Sequence, residues 1–262
     1  FEEVHNCENP LEVEFENLSI GADHVLWDFG DGNTSNLLNP VHTFLSLGTH
    51  NVSLSVRNNI TGCIHSIVKQ VTLTKPIAQF DYFTSIHYPE KDSIGCIPQR
   101  IYIDNQSQDY AFFRVYWGDG LMSHGPSHLY TDTGVFDVTM IITDLYGCKD
   151  TATHEEMYYM YDLDLDFSAT NFSGCDSMLV EFSNSANHST IYQMWDFGDG
   201  GLSYMNNVEY TYHNEGIYDV TLYAKSIHGC KDTLRREEYI NFQYPTANFT
   251  SNINGICEGD IV

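Results

Sequence analysis

Basic side chains are scarce in this sequence: 11 Lys and Arg stand against 36 Asp and Glu, a formal charge of −25 over 262 residues. A nucleic-acid binder needs clustered cations to displace phosphate counterions, so this balance argues against a nucleic-acid partner and against an anionic membrane surface. Long apolar runs are missing as well. No stretch approaches the roughly 18–20 apolar residues that span a bilayer, and no signal-peptide pattern opens the chain. Apolar residues at helical spacing are equally absent, which leaves little room for helices. Signatures of catalysis and metal capture are lacking: there is no His-Glu-x-x-His, no Cys-x-x-Cys, no Gly-x-Ser-x-Gly and no phosphate-cradling glycine loop. The 12 histidines lack ligand spacing, and His124 and His128, flanking one turn, come nearest to it. An enzyme is not expected from these residues.

What the sequence does have is a repeat. Three aromatic strands end in Gly-Asp-Gly: Trp27-Asp28-Phe29-Gly30-Asp31-Gly32, Val115-Tyr116-Trp117-Gly118-Asp119-Gly120 and Trp195-Asp196-Phe197-Gly198-Asp199-Gly200. Each is followed by an aromatic pair and then by a long alternating strand, such as Asp137-Val138-Thr139-Met140-Ile141-Ile142. That strand meets a Gly-Cys turn (Gly62-Cys63, Gly147-Cys148, Gly229-Cys230) and returns as a hairpin. About seven short strands of period 2 in some eighty residues is the count of a two-sheet sandwich. Alternation places Trp27 and Phe29 on one strand face and Asp28 on the other, so Trp27 and Trp195 are read as core aromatics. In the second repeat Val115 takes the Trp position and Trp117 the Phe position, which should shift the packing without emptying the core. The glycines suit positive φ, and an Asp between them caps nearby N–H groups. A lone carboxylate of this kind is a poor catalyst. Calcium ligation is the sharper rival to a turn role.

The run Trp-Asp-Phe-Gly-Asp-Gly, followed by Asn39-Pro40-Val41-His42-Thr43-Phe44 and Gly-x-x-x-Val-x-Leu, resembles the PKD domain family over nearly the whole chain. The resemblance implies an all-β fold of tandem immunoglobulin-like β-sandwich modules arranged as a rod. Module limits follow from the repeat at 1–75, 76–160 and 161–243, with the first strand of a fourth module in 244–262. Phe1 enters and Val262 stops in mid-pattern, so the chain is expected to be an excerpt. The Gly-Cys turn followed by Lys-Asp-Thr is similar to PKD arrays of long Bacteroidota surface proteins, including gliding adhesins exported by type IX secretion. Tyr218 resembles the tyrosine corner of such sandwiches. His50 and Phe136 hold the equivalent positions, so a phenol hydrogen bond is expected in the third module alone.

Within that frame the cysteines form two classes, one before the second strand (Cys7, Cys96, Cys175, Cys257) and one in the last hairpin (Cys63, Cys148, Cys230). Two pairings remain open. Bonds inside modules would join Cys7–Cys63, Cys96–Cys148 and Cys175–Cys230. Bonds between modules would join Cys7–Cys148 and Cys96–Cys230 and leave Cys63, Cys175 and Cys257 to modules outside the excerpt; this scheme is favoured because the two turns lie at opposite ends of a sandwich and beyond the roughly 7 Å reach of a bridge. Asp162, Asp164 and Asp166 at a module junction are candidate calcium ligands or, alternatively, charged protection of an edge strand. Calcium is the one cofactor considered. Asp-Ser/Thr motifs at Ser93, Thr151, Ser177 and Thr233 resemble a Bacteroidota O-glycosylation signal, and Asn-x-Ser/Thr sequons such as those at Asn17 and Asn248 offer a rival pattern. Tyr158, Tyr159 and Tyr161 are the clustered aromatics that a sugar-binding face would need.

The function these features imply is a non-enzymatic extracellular stalk or filament segment at the cell surface, presenting or forming an adhesin. Its partners would be neighbouring modules of the same long chain, other copies in a filament, and a surface polysaccharide or substratum. The alternative is a set of spacer or polysaccharide-binding accessory modules attached to a secreted hydrolase.

Overall fold

A computed structural model describes residues 1–84, 94–172, 177–244 and 247–250. Every named element among them is a β-strand. No helix among the described residues is long and apolar enough to cross a membrane. The strands group into three pairs of sheets. The first pair uses β1 (Glu2–His5), β2 (Glu12–Glu16), β3 (His24–Asp28), β4 (Thr34–Ser35), β5 (Val41–Thr43), β6 (Gly48–Arg57) and β7 (Ile64–Leu73). One sheet runs β1-β2-β5 and the other β4-β3-β6-β7.

The second pair comprises β8 (Phe80–Phe83), β9 (Ile94–Cys96), β10 (Gln99–Asn105), β11 (Phe112–Tyr116), β12 (Met122–Ser123), β13 (Ser127–Tyr130), β14 (Gly134–Thr143) and β15 (Lys149–Tyr161). Its sheets run β13-β10-β8 and β12-β11-β14-β15-β9. The third pair, from β16 (Phe167–Phe172), β17 (Met178–Asn184), β18 (Thr190–Asp196), β19 (Leu202–Ser203), β20 (Asn207–Tyr212), β21 (Gly216–Ser226) and β22 (Lys231–Phe242), runs β16-β17-β20 and β19-β18-β21-β22. All pairings are antiparallel, as hairpin and Greek-key connections require. The chain is therefore an all-β tandem of immunoglobulin-like sandwiches. By compactness it forms two units, Phe1–Met160 holding the first two sandwiches and Tyr161–Val262 holding the third.

Period-2 alternation explains each core. In β2, Val13 and Phe15 are buried while Glu14 and Glu16 face water. Burying one face of each sheet against the other removes the apolar stripe from solvent, the main favourable contribution to such a fold. Trp27, Trp117 and Trp195 are fully buried, each withdrawing on the order of 150–250 Å². The second core closes with Val115 and Trp117 both at 0% exposure, so the exchanged order of large and small residues keeps both positions buried in one cluster. Each indole N–H also finds a partner: Trp27 donates to Leu37 O (3.1 Å), Trp195 to Met205 O (2.9 Å) and Trp117 to Ser123 Oγ (3.0 Å).

Three segments lie at the sandwich borders. The leading strand of the second sandwich starts at Phe80, and Ile77 before it makes only an isolated bridge to Gln108. Asp162–Asp166 is not a strand, although its alternation survives, with Leu163, Leu165 and Phe167 buried and the three Asp exposed. Of the span 244–262 given to the first strand of a fourth module, residues 245–246 and 251–262 lie outside the described residues, and 247–250 carry no strand.

Candidate functional site

The Gly-Asp-Gly turn is the most repeated chemical feature, and its parts can be assigned one by one. Gly30, Gly118 and Gly198 have φ of 74°, 84° and 84°, a region that costs any L side chain. A Cβ at Gly30 or Gly118 would also stand 2.5 Å from the carbonyl oxygen of Asn51 or Asp137, and Gly198 meets Asp219 in the same way. The turn can pass under the long central strand only if this residue has no side chain. The closing glycines, Gly32, Gly120 and Gly200, need positive φ (94°, 88° and 95°) but have open space around them.

Between them the Asp carboxylate serves two masters. One oxygen accepts the N–H two residues on, from Asn33, Leu121 and Gly201, each at 3.0 Å. The carboxylate also receives a ring donor from the first residue of the aromatic pair: His42 Nε2 at 2.8 Å from Asp31, His128 Nε2 at 2.6 Å from Asp119, and Tyr210 OH at 2.8 Å from Asp199. That ring lies nearly flat on the strand aromatic. His42 stacks on Phe29 (3.9 Å, 4°), His128 on Trp117 (5.1 Å, 17°) and Tyr210 on Phe197 (3.8 Å, 16°). Burial works to raise the Asp31 carboxyl, but the hydrogen bonds from His42 and Asn33 outweigh it and hold the group below its ordinary value. For Tyr210, burial and the Asp199 carboxylate push the phenol up to about 12. The three carboxylates thus all have partners within their own sandwich, Asp31 and Asp119 largely covered and Asp199 exposed, each fastening one sheet to the other. His128, considered above as a metal ligand, is one of the fasteners.

Two further ties come from the aromatic pair and the strand after it. Tyr130 OH donates to Trp117 O (2.6 Å) and Tyr212 OH to Phe197 O (3.0 Å), both buried, whereas Phe44 has no hydroxyl to offer. Tyr218 OH donates to Asn214 O (2.8 Å), the corner bond expected of it. That bond is not peculiar to the third sandwich, however. His50 Nε2 donates to Ser46 O at 3.0 Å over the same four-residue span, so an imidazole substitutes for the phenol and only Phe136 leaves the corner without one.

Within the unit Phe1–Met160, a disulfide joins Cys7 to Cys148, with Cα atoms 5.1 Å apart. It connects the β1–β2 turn of the first sandwich to the β14–β15 turn of the second. The pairings Cys7–Cys63 and Cys96–Cys148 are therefore not formed, and Cys63 is free and exposed. Cys96 and Cys230 are also disulfide-bonded; Cys175 and Cys257 lie outside the described residues. Around the bridge both sandwiches contribute side chains. Asn6 Oδ1 caps Glu8 N and Asn9 N beside Cys7. The buried Asp144 accepts Tyr146 N and Cys148 N at 2.9 Å each and Thr74 Oγ1 at 3.2 Å from the preceding sandwich. Tyr146 stacks on His5 (3.5 Å, 22°), and burial holds the His5 imidazole below its ordinary pKa. Asp150 Oδ2 accepts Ala78 N at 2.8 Å. Asp144 escaped the sequence reading; its signal was the polar residue opening each Gly-Cys turn, Asn58, Asp144 or Ser226.

The remaining candidates disperse. Asp162, Asp164 and Asp166 do not converge: Asp166 accepts Arg236 (2.6 Å) and Phe167 N (2.9 Å). Among the described residues no group of three or more His, Cys, Asp or Glu is gathered to hold a metal. His124 lines a shallow cleft with Phe112, Arg114 and Tyr116. Thr151 and Thr233 are exposed, Ser177 is half-buried and Ser93 lies outside the described residues. The acids before the two threonines already have anchoring tasks, Asp150 as above and Asp232 through Leu165 N (3.2 Å). Tyr158 belongs to the core, Tyr159 donates to Glu156 (2.8 Å) and Tyr161 lies flat on His228 (3.8 Å), so they form no exposed row. The exposed rings of Tyr192 and Tyr204 meet instead at 53°, and the half-buried Tyr223 lies at 71° to Tyr192.

A family model described as PKD domain matches residues 4–74 and 169–241, more than half of the chain. The chain belongs to the PKD domain family. The two matched spans are the first and third sandwiches, and the second, with its exchanged Val115 and Trp117, lies between them. Among solved structures this PKD chain is similar to a 1.5-MDa bacterial ice-binding adhesin described for host cell surface retention, at 8% identity over 88% of this chain and 91% of that one, TM-score 0.34. It is similar to a tetra-tandem repeat in the extending region of a large adhesion protein, at 11% identity over 86% and 69%, TM-score 0.25. It is also similar to the amphioxus IgVJ-C2 molecule, at 10% identity over 88% and 98%, TM-score 0.23. Superpositions this partial carry no functional inference.

Proposed function

We propose that this chain is a non-enzymatic segment of an extracellular, cell-surface stalk whose PKD modules are clamped one to the next, so that the array presents or forms an adhesin. The observation that carries this reading is the Cys7–Cys148 bridge. A covalent tie between the turns of consecutive sandwiches contributes nothing to a catalytic pocket and restricts hinge motion at a joint. Disulfides also persist in oxidising, extracytoplasmic settings, which supports display outside the cell. The engagement of Asp31, Asp119 and Asp199 inside the turns fits a load-transmitting frame rather than a reactive site. Export by a type IX route, O-glycans at Ser93, Thr151, Ser177 and Thr233, and a polysaccharide or substratum as target extend the same reading and rest on the sequence resemblance. Calcium at Asp162, Asp164 and Asp166 has less support, because Arg236 already occupies Asp166.

The test is antibody labelling of intact source cells combined with a shear-adhesion assay of cells carrying the Cys7→Ser, Cys148→Ser double substitution in the full-length protein. Surface labelling with adhesion weakened under flow is expected. Labelling only of protein shed into the medium together with a hydrolase activity would replace the stalk by the accessory-spacer alternative.

A further inference from the structure

The β6–β7 turn of the first sandwich is built like the turn that carries Cys148. Asn58 N donates to Cys63 O at 3.0 Å, as Asp144 N does to Cys148 O at 2.9 Å and Ser226 N to Cys230 O at 2.8 Å. The preceding glycines Gly62, Gly147 and Gly229 share positive φ, at 72°, 91° and 90°. Asn58 Oδ1 caps Ile60 N (3.0 Å) and Thr61 N (2.9 Å), as Asp144 Oδ1 caps Tyr146 N (2.9 Å), though the cysteine N–H goes to Asp144 in the second sandwich and to Thr61 Oγ1 (3.4 Å) in the first. A cysteine thus closes all three turns after a positive-φ glycine, the first turn being one residue longer than the other two. In two of them it is oxidised and buried, with Cys148 at 7% and Cys230 at 3% exposure. Cys63 alone is an exposed thiol.

A second observation points the same way. The surface beside Cys63 is apolar and uncovered: Ile60 is 93% and Ile64 68% exposed. Ile64 also lines a cleft of about 630 Å³ of mixed character, with Leu26, Leu38 and Val56 beside Asp23, His24 and Arg57. At the corresponding turn of the second sandwich, the preceding module covers the loop with Cys7, His5 and Thr74.

We infer that Cys63 is the open half of a further staple, and that its occupant is the cysteine turn following the leading strand of another PKD module, the element that Cys7 represents in this chain. The inference rests on the clamped-array reading but is decided at Cys63 alone. The bond forms by thiol–disulfide exchange. The incoming cysteine is first held as a mixed disulfide with a dithiol–disulfide oxidant of the export compartment. The Cys63 thiolate attacks the cysteine sulfur of that bond, the new S–S bond forms, and the oxidant's thiolate leaves and is protonated. Overall, two thiols pass two electrons and two protons to the oxidant. The module presenting the turn belongs either to the same polypeptide or to a second copy.

The experiment is peptide mapping of the full-length protein isolated from its source, alkylated with iodoacetamide before any reduction. Cys63 is expected in a disulfide with a peptide whose cysteine follows a leading strand. If the link is within one polypeptide, non-reducing electrophoresis shows a monomer; if it is between copies, a reducible dimer appears that Cys63→Ser removes. Recovery of alkylated Cys63, of Cys63 capped by a small thiol, or of Cys63 bonded to a cysteine of any other segment would overturn the inference. The Cys7–Cys148 peptide in the same map reports separately on the array reading.

Discussion

The first and third sandwiches share a strand plan, yet they hold their last hairpins differently. In the first, β6 and β7 pair in unbroken register from Gly48↔Leu73 to Arg57↔Ile64, with Asn51 opposite Gln70. In the third, the register between β21 and β22 slips between Tyr218 and Val220, and Glu238 sits at φ 51°. Asp219 occupies the slip: its Oδ1 accepts Glu238 N (2.7 Å), and its other oxygen accepts Arg235 (2.5 Å). The backbone bond from Glu238, followed by Arg235, holds the Asp219 carboxyl below its ordinary value. The second sandwich repeats the device with Asp137 and Glu156, at 2.6 Å. A bulge re-aims the strand that follows it, and here Ile240 and Phe242 turn into the core beyond it. The regular hairpin leaves Ile64, Ile67 and Val68 exposed upstream of its buried Val71 and Leu73. One acid at the slip position separates the two solutions.

The largest effect should fall on what the two sandwiches share. Gly30→Ala and Gly198→Ala each combine positive-φ strain with a backbone clash and should cost about 2–4 kcal/mol. Gly32→Ala and Gly200→Ala, which meet open space, should cost about 1–2 kcal/mol. Amide exchange along β6 and β21 would report each sandwich separately within the intact chain. Unequal losses at Gly30 and Gly198 would break the claim of a common turn.

The next test exchanges a tie that only one of them has. Tyr212→Phe removes the buried hydroxyl from Phe197 O and should cost about 1–2 kcal/mol, while Phe44→Tyr should return up to about 1 kcal/mol to the first sandwich. A neutral Tyr212→Phe in denaturant unfolding would show that the carbonyl finds another donor.

The bulge predicts substitutions of opposite sign at facing positions. Glu238→Gly relieves a left-handed residue and should stabilise the third sandwich by about 0.5–1 kcal/mol. Gln70→Gly, in a regular strand, should destabilise the first by about the same amount. Thermal melts of the two variants moving in the same direction would contradict the difference in register.

The smallest effect is in pH, and the two sandwiches should respond at opposite limbs. Tyr210 is raised from 10.0 to about 12, so its contribution is complete below pH 10 and is lost as pH climbs toward 12. Tyr210→Phe should flatten that alkaline limb in β21 exchange. Asp31 is lowered from 3.8, so its contribution is present above that pH and is lost as acid titrates it below. An alkaline limb unchanged by Tyr210→Phe would assign it to other tyrosines.

Much of the fold was legible because it is written in local rules. Strand alternation placed Trp27, Trp117 and Trp195 inward, and the glycine spacing marked the turns, since positive φ and side-chain period are properties of neighbouring residues. Less of the site could be read. That His42, His128 and Tyr210 grip the turn carboxylates was hidden, because each donor lies on a strand of one sheet and its acceptor in a turn of the other. The corner assignment stopped at Tyr218, since the motif names a phenol whereas the requirement is any ring donor that reaches the carbonyl four residues back, which His50 meets. The acidic run 162–166 suggested a cation site, but the charge that balances Asp166 is Arg236, seventy residues away.

By itself, then, the sequence determined the sandwich plan, the buried rings and the two classes of cysteine, all of which depend on periodicity and on the conformational needs of single residues. Only the tertiary structure decided that Cys7 bonds to Cys148 across 141 residues, that the acids of Gly-Asp-Gly are fasteners, and that one hairpin is regular where two are bulged. These outcomes depend on which segments come within a few ångströms of each other once the sheets have packed, a distance that spacing along the chain does not encode.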